Sequence, residues 1–247
     1  MQLTGNTIFI TGGGSGIGRA LAEALHKRGN QIIISGRRKS ALAETTQANP
    51  GMRSIELDIE SPASIHAAAK QLTTEYPDLN VLINNAGIML PDTAAAPQDD
   101  TQLVSTVMTN LVGPVRVTSA FIEHLKHQPS ATIIYNTSVL AFVPMAATSV
   151  YSATKAALHS YVLSQRFKLR NTSVRVLELA PPWVRTDLMN SREAEAAMPL
   201  DDFIAQVMQQ LGTETEEILV GNAPQLRANH GPGEGEFVTA FNASLPF

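Results

Sequence analysis

Short apolar runs alternate along this chain with longer stretches whose apolar residues recur every three or four positions, the patterns of buried strands and amphipathic helices. Residues 7–10 form the first apolar run, which breaks into Thr11-Gly12-Gly13-Gly14-Ser15-Gly16-Ile17-Gly18. Leu21, Ala22 and Leu25 then share one helical face over 19–28, and Gly29 stands where a helix-ending glycine belongs. The pairing repeats: strand 31–35 with helix 39–48, then strand 54–59 with helix 61–76, which Ser61 caps and Pro62 opens. The wholly apolar strand 81–83 follows, then a long helix from 98 to about 126, strand 131–135, a helix from about 150 to 168 and strand 173–179. Beyond it the pattern weakens to a helix over 200–211 and a last strand over 217–220; the tail to Phe247 suggests no element. Continuous apolar strands joined by helices need parallel pairing with both sheet faces covered. The expectation is an α/β fold in one domain, 1–247: a doubly wound, Rossmann-type, mostly parallel sheet of about six or seven strands with helices on both faces. Residues 187–212 are expected to form a mobile flap over a substrate.

Composition narrows the choice of partner. With 44% hydrophobic and 16% charged residues and a formal net charge of −4, the chain carries no global field that recruits nucleic acid or membrane, so small molecules are the expected partners. The absence of cysteine excludes disulfides, thiolate catalysis and cysteine-ligated zinc. Six histidines (26, 66, 124, 127, 159 and 230) are scattered without a His-Glu-x-x-His pattern, so no metal is implied. Residues 1–6 do not read as a secretory leader, and a cytoplasmic location is expected. The interval 128–154 lacks acidic and basic residues, but Asn136, Ser138 and Pro144 interrupt it, which suits a buried strand and a site-lining loop. Without a leader, the glycosylation patterns beginning at Asn136, Asn171 and Asn242 read as accidents.

The chemistry sits where strands end. A strand, a glycine-rich turn and a helix form a phosphate-binding unit: Gly12, Gly14, Gly16 and Gly18 let the backbone approach a pyrophosphate, and the N–H groups near Ser15 and Ile17 hold it. The absence of a Lys-Ser/Thr ending argues against an NTPase, and the glycine spacing departs from the commoner Gly-x-Gly-x-x-Gly fingerprint. After the second strand, the place where an acidic residue takes the ribose hydroxyls of NAD is Gly36, followed by Arg37, Arg38 and Lys39. Cations at a helix start oppose its dipole; a bound 2′-phosphate explains them, as does a solvated basic turn. NADP(H) is therefore the preferred cofactor, with NAD(H) as the alternative. Asp58 and Ile59 end the third strand within reach of an adenine, and Asn84-Asn85-Ala86-Gly87 is a small polar turn at the end of a buried strand. Asn110 lies among apolar residues four positions before Pro114, which disturbs the helix there; it reads either as a water-holding group or as a satisfied buried amide. Tyr151 and Lys155 are one helical turn apart, with Cβ atoms about 6 Å from each other. Lowering a phenol pKa from ~10 to about 7 takes roughly 4 kcal/mol, which a nearby cation in a water-poor site can supply. A core tyrosine beside a solvated lysine has the same spacing.

In order and spacing these features resemble the short-chain dehydrogenase/reductase family up to about Thr186: Thr11-Gly-x-x-x-Gly-Ile-Gly18, Asp58, Asn84-Asn-Ala-Gly87, Asn110, Ser138, Tyr151-x-x-x-Lys155 and Pro181 through Thr186. The wording of residues 35–37 and 181–188 looks nearest to a bacterial oxidoreductase subgroup named after the operon for D-alanylation of teichoic acid. The resemblance implies a catalytic tetrad of Asn110, Ser138, Tyr151 and Lys155. Asn85, Ala86 and Gly87 would line the cofactor, and Val184 and Thr186 would hold the nicotinamide carboxamide and a nearby phosphate. It implies hydride transfer to or from a small carbonyl or alcohol substrate, and a homodimer or homotetramer. Pro182 stands where many members have glycine, Trp183 is expected to close part of the pocket, and a late glycine-rich strand signature is missing. A dinucleotide-sensing regulatory protein on the same fold is the rival reading, and an epimerase or dehydratase using the same Tyr-Lys pair is a third.

Overall fold

The computed structural model describes residues 1–229 and 231–245; His230, Pro246 and Phe247, named above among the histidines and in the tail, lie outside the described residues. Seven strands, β1 (Thr7–Thr11), β2 (Gln31–Gly36), β3 (Arg53–Glu56), β4 (Leu79–Asn84), β5 (Ala131–Asn136), β6 (Val174–Ala180) and β7 (Glu217–Leu219), form one sheet in the order β3-β2-β1-β4-β5-β6-β7. Every pairing is parallel.

Alternate strand residues feed two cores, as the pleat requires. Ile8, Ile10, Ile32, Ile34 and Val81 face α1 (Gly16–His26), α2 (Lys39–Ala48) and α7 (Leu200–Leu211). Phe9, Ile33, Leu82 and Ile133 face α3 (Pro62–Glu75), α5 (Gly113–His127) and α6 (Ser149–Leu169). The chain leaves β3 at one edge and returns on the far side of β1 as β4. The carboxyl ends of β1 and β4 thus open a crevice at the switch of direction, where such sheets bind ligands.

Three differences from the pattern reading have physical causes. The long helix is α4 (Asp100–Val107), a π-helical turn (Met108–Val112) and α5. Pro114 lies in the first turn of α5, where its missing N–H is tolerated, and the register changes just before it. Half of the expected flap is α7, whose Phe203, Ile204, Val207, Met208 and Leu211 are buried in the same core as Leu21 and Leu25 of α1; the part over the crevice is 187–198. The tail contains α8 (Ala223–Arg227) and α9 (Glu234–Ser244). Helix α9 escapes a pattern search because none of its residues is fully buried. Among the described residues, no helix is long and apolar enough to cross a membrane.

Candidate active site

One cavity of about 870 Å³ runs along the carboxyl edge of the sheet from Arg37 and Arg38 to Leu245. Eighteen of the twenty residues expected at the site line it: Gly12, Gly14, Ser15, Gly16, Ile17, Gly18, Arg37, Arg38, Ile59, Asn85, Ala86, Gly87, Ser138, Tyr151, Lys155, Pro181, Val184 and Thr186. Asp58 and Asn110 do not. Strand β3 stops at Glu56, so Asp58 falls in the following turn, where its Oδ1 accepts the Glu60 N–H at 3.0 Å. Its carboxylate serves the entry to α3, and only Ile59 of that pair reaches the cavity.

At the first end the glycines act through close approach. Gly12 has a φ of +70°, and a Cβ there would come within 2.9 Å of the Ala86 Cα; one on Gly18 would come within 2.3 Å of Asn85 Nδ2. Ser15 precedes α1 without a side-chain cap, and the first turn carries no acidic residue, so its N–H groups face the cavity end uncompensated. Arg38 Nη2 donates to Ser15 Oγ at 2.8 Å, while Lys39 pairs with Glu56 at 2.9 Å and Arg37 with Glu60 at 3.7 Å. Among the described residues lining the cavity there is no acid at the end of β2.

A ladder of amides joins this end to the other. Thr11 Oγ1 accepts from the N–H groups of Asn85 and Ala86 at 3.0 and 3.1 Å. Asn85 Nδ2 donates back to the carbonyls of Thr11 and Gly12, and Asn136 Nδ2 donates to Asn85 Oδ1 at 2.8 Å. Lys155 Nζ donates to the Asn136 carbonyl at 2.7 Å. Side chains at the ends of β1, β4 and β5 therefore fix the position of a lysine on α6. Thr11, named only as the start of the glycine-turn motif, and Asn136 were not among the expected site residues; the available signal was a polar residue closing each apolar strand.

Tyr151 and Lys155 are both buried on α6, with the ammonium 5.4 Å from the centre of the phenol ring. Burial pushes the phenol up to about 12, against a hydrogen bond with Ser138 that favours the ionised form. Burial also pulls Lys155 down to about 8, against the field of Glu178. Desolvation is thus the largest influence on both groups and favours the neutral form of each. Glu178, buried on β6, accepts from Thr137 Oγ1 at 2.6 Å and from His159 Nδ1 at 2.7 Å. His159, Glu178 and Glu217 bring one potential ligand atom each within 4.8 Å of one another. Arg227 holds Glu217 at both oxygens, 3.0 and 3.1 Å, so the second carboxylate already has a cation.

Two supports come from outside the cavity. Asn110 reaches from the π-helical turn to Ile88, accepting its N–H and donating to its carbonyl, both at 2.8 Å, and also donates to Thr154 Oγ1 at 3.3 Å. That side chain clamps the loop after β4. Asp92, which no local pattern singles out, accepts the N–H groups of Ser149 and Val150, both at 2.9 Å, and also the Ser149 hydroxyl. It caps α6 from 57 positions away in sequence, a negative charge at the positive end of the helix.

The glycine-walled crevice, the tyrosine-lysine pair and the parallel sheet define a dinucleotide-dependent oxidoreductase architecture. The short chain dehydrogenase family model matches residues 6–197, and the chain belongs to that family. It is 43% identical over 189 residues to the uncharacterized oxidoreductase DltE of Bacillus subtilis, covering 76% of this chain and 75% of that one. It is 29% identical over 186 residues to an uncharacterized oxidoreductase of Staphylococcus aureus, covering 74% and 80% respectively. Among solved structures, a short chain dehydrogenase from Burkholderia cenocepacia in complex with NADP superposes with a TM-score of 0.83 at 26% identity, over 100% of both chains. One from Burkholderia phymatum in complex with NAD reaches 0.85 at 20% identity, over 100% and 99%, a likeness of fold alone. The subgroup resemblance read from the sequence agrees with the first of these relatives.

Proposed function

We propose that this protein is an NADP(H)-dependent carbonyl reductase or alcohol dehydrogenase in which Tyr151 is the general acid and base. The observation that carries the proposal is the convergence of Ser138, Tyr151 and Lys155 in one cavity with the glycine turn and the two arginines. When bound, the nicotinamide cofactor supplies or accepts the hydride. The residues present fit such a group: Gly12 and Gly18 leave room that a Cβ would fill, and the first turn of α1 offers uncapped N–H groups to a pyrophosphate. Arg38, already at Ser15, and Arg37 favour a 2′-phosphate, which supports NADP(H) over NAD(H).

A protonated Tyr151 is ready to donate to a carbonyl oxygen, so reduction begins from the protonation state that burial favours. Ser138 holds the same oxygen and, by its hydrogen bond to the phenol, lowers the cost of the proton's departure. Lys155 stabilises the phenolate that forms and refills the proton. Pro114 has no N–H for the Asn110 main-chain carbonyl, which makes that carbonyl the candidate to hold a water for the proton relay while the Asn110 side chain holds Ile88. By family resemblance the assembly is a homodimer or homotetramer.

The test is Tyr151→Phe with NADPH and a panel of ketones, aldehydes, quinones and 3-oxo esters. Cofactor binding should persist while turnover falls by about 10²–10⁴-fold. Near-normal turnover would refute the mechanism. Binding by the unmodified protein without turnover of any carbonyl would favour the regulatory reading instead.

A further inference from the structure

The cavity continues past Tyr151 into a compartment with a different chemistry. Among the described residues that line the whole cavity, the charged ones are Arg37, Arg38, Lys155 and Asp187. The two arginines belong to the far end, Lys155 is committed to the Asn136 carbonyl, and Asp187 is paired with Arg192. The lining that gathers with Tyr151 includes Met89, Leu140, Met145, Trp183, Phe241 and Leu245. Five of them, Leu140 and Met145 with Met89, Phe241 and Leu245, belong to or pack against the hydrophobic cluster that contains Tyr151 itself. A carboxylate or phosphate placed there would lose its hydration and find no free cation to replace it.

Helix α9 is the wall that closes this compartment. Asn242 pins it to the segment just before α6: Oδ1 accepts the Ala146 N–H at 2.6 Å, and Nδ2 donates to the Pro144 carbonyl at 3.0 Å. Phe241, adjacent to that anchor, and Leu245 face the cavity, yet no residue of α9 is fully buried. Apolar side chains held in place but incompletely covered gain burial when an apolar ligand fills the space.

We infer that the substrate is an uncharged carbonyl compound or alcohol with an apolar body, and that Phe241 of α9 and Leu245, the residue that follows the helix, read that body. The reaction class rests on the carbonyl-reductase reading; the binding preference does not. Trp183 is the single tryptophan of the chain and lines the compartment, so its fluorescence reports occupancy directly.

The full chain is titrated, with and without NADPH, with methyl ketones of increasing chain length. A parallel titration uses the keto acid that bears a carboxylate at the far end of the longest chain. Binding read from Trp183 should saturate and tighten by about fourfold per added methylene. The keto acid should bind about a hundredfold more weakly than its neutral counterpart. Phe241→Ala and, as an independent variant, Leu245→Ala should each flatten the dependence on chain length. Equal or tighter binding of the keto acid, a flat chain-length series, or no saturable response to any member would overturn the inference. Saturable, chain-dependent binding without NADPH consumption would leave the inference standing and remove the reductase reading.

Discussion

Replacing Lys155 with methionine should stabilise the protein at neutral pH while abolishing activity. The ammonium is buried, and its burial lowers the pKa from 10.5 to about 8. At 1.36 kcal/mol per pH unit, that displacement costs the folded state about 3 kcal/mol wherever the lysine is charged in both states. The sign follows from proton counts. Between pH 8 and 10.5 the unfolded chain holds a proton that the folded chain has released, so stability rises with pH through this window. Below it the penalty is complete, and above it the penalty is gone. Methionine has similar length and no charge to desolvate, but it forfeits the hydrogen bond from Nζ to the Asn136 carbonyl, worth about 1 kcal/mol. The net expectation is a gain of about 2 kcal/mol at pH 7. Urea denaturation of both proteins across pH 6.5–10 checks it, because the difference between them cancels other titrating groups. The gain should shrink above pH 8 and vanish or reverse near pH 10. A methionine variant less stable at pH 7, or a difference that does not change with pH, would refute the desolvation argument.

Other substitutions probe the supports around that pair. Arg38→Ala should weaken NADPH binding by at least about tenfold while changing NADH binding little, consistent with loss of a charge-assisted contact to a phosphate; equal effects on both cofactors would remove the phosphate role. Gly18→Ala places a Cβ within 2.4 Å of the Gly12 carbonyl oxygen. It should cost about 1–3 kcal/mol in a denaturation experiment and weaken the binding of either cofactor. Asp92→Ala removes the acceptor for two N–H groups at the start of α6. A stability loss of about 1–2 kcal/mol with a lower kcat is expected, and an unchanged kcat would show that the cap does not position Tyr151.

The sheet was legible because its central strands are buried on both faces and therefore read as uninterrupted apolar runs. A disturbance of the long helix was legible, since Asn110 and Pro114 are misplaced in an ordinary helix; that it takes the form of a π-helical turn dividing two helices was not. Asp92 was not: its effect depends on a loop folding back across 57 positions, and no local pattern encodes that approach. Asn136 was visible as an interruption of an uncharged stretch and as part of an accidental glycosylation pattern, neither of which shows that it links Asn85 to Lys155. Spacing on a helix face placed Tyr151 and Lys155 side by side, but it carries no measure of desolvation, which raises the phenol's pKa in the folded chain. Helix α9 escaped because its apolar residues face a cavity and stay partly uncovered, which blurs the periodicity that a filled core would impose.

The loop between β4 and α4 has no regular element over residues 85–99, yet beyond Asn85 and Ala86, which Thr11 holds, side chains fasten it at Ile88 through Asn110 and at the start of α6 through Asp92. In hydrogen-exchange terms these are independent latches. The Ser149 and Val150 amides are shielded only while Asp92 is seated, whereas the Ile88 amide depends on Asn110 alone. Release of the outer latch would let the substrate compartment breathe while Gly87 and its neighbours stay in register with β1. Exchange, then turnover, in an Asp92 variant could thus follow the traffic of substrate without disturbing the grip on the dinucleotide.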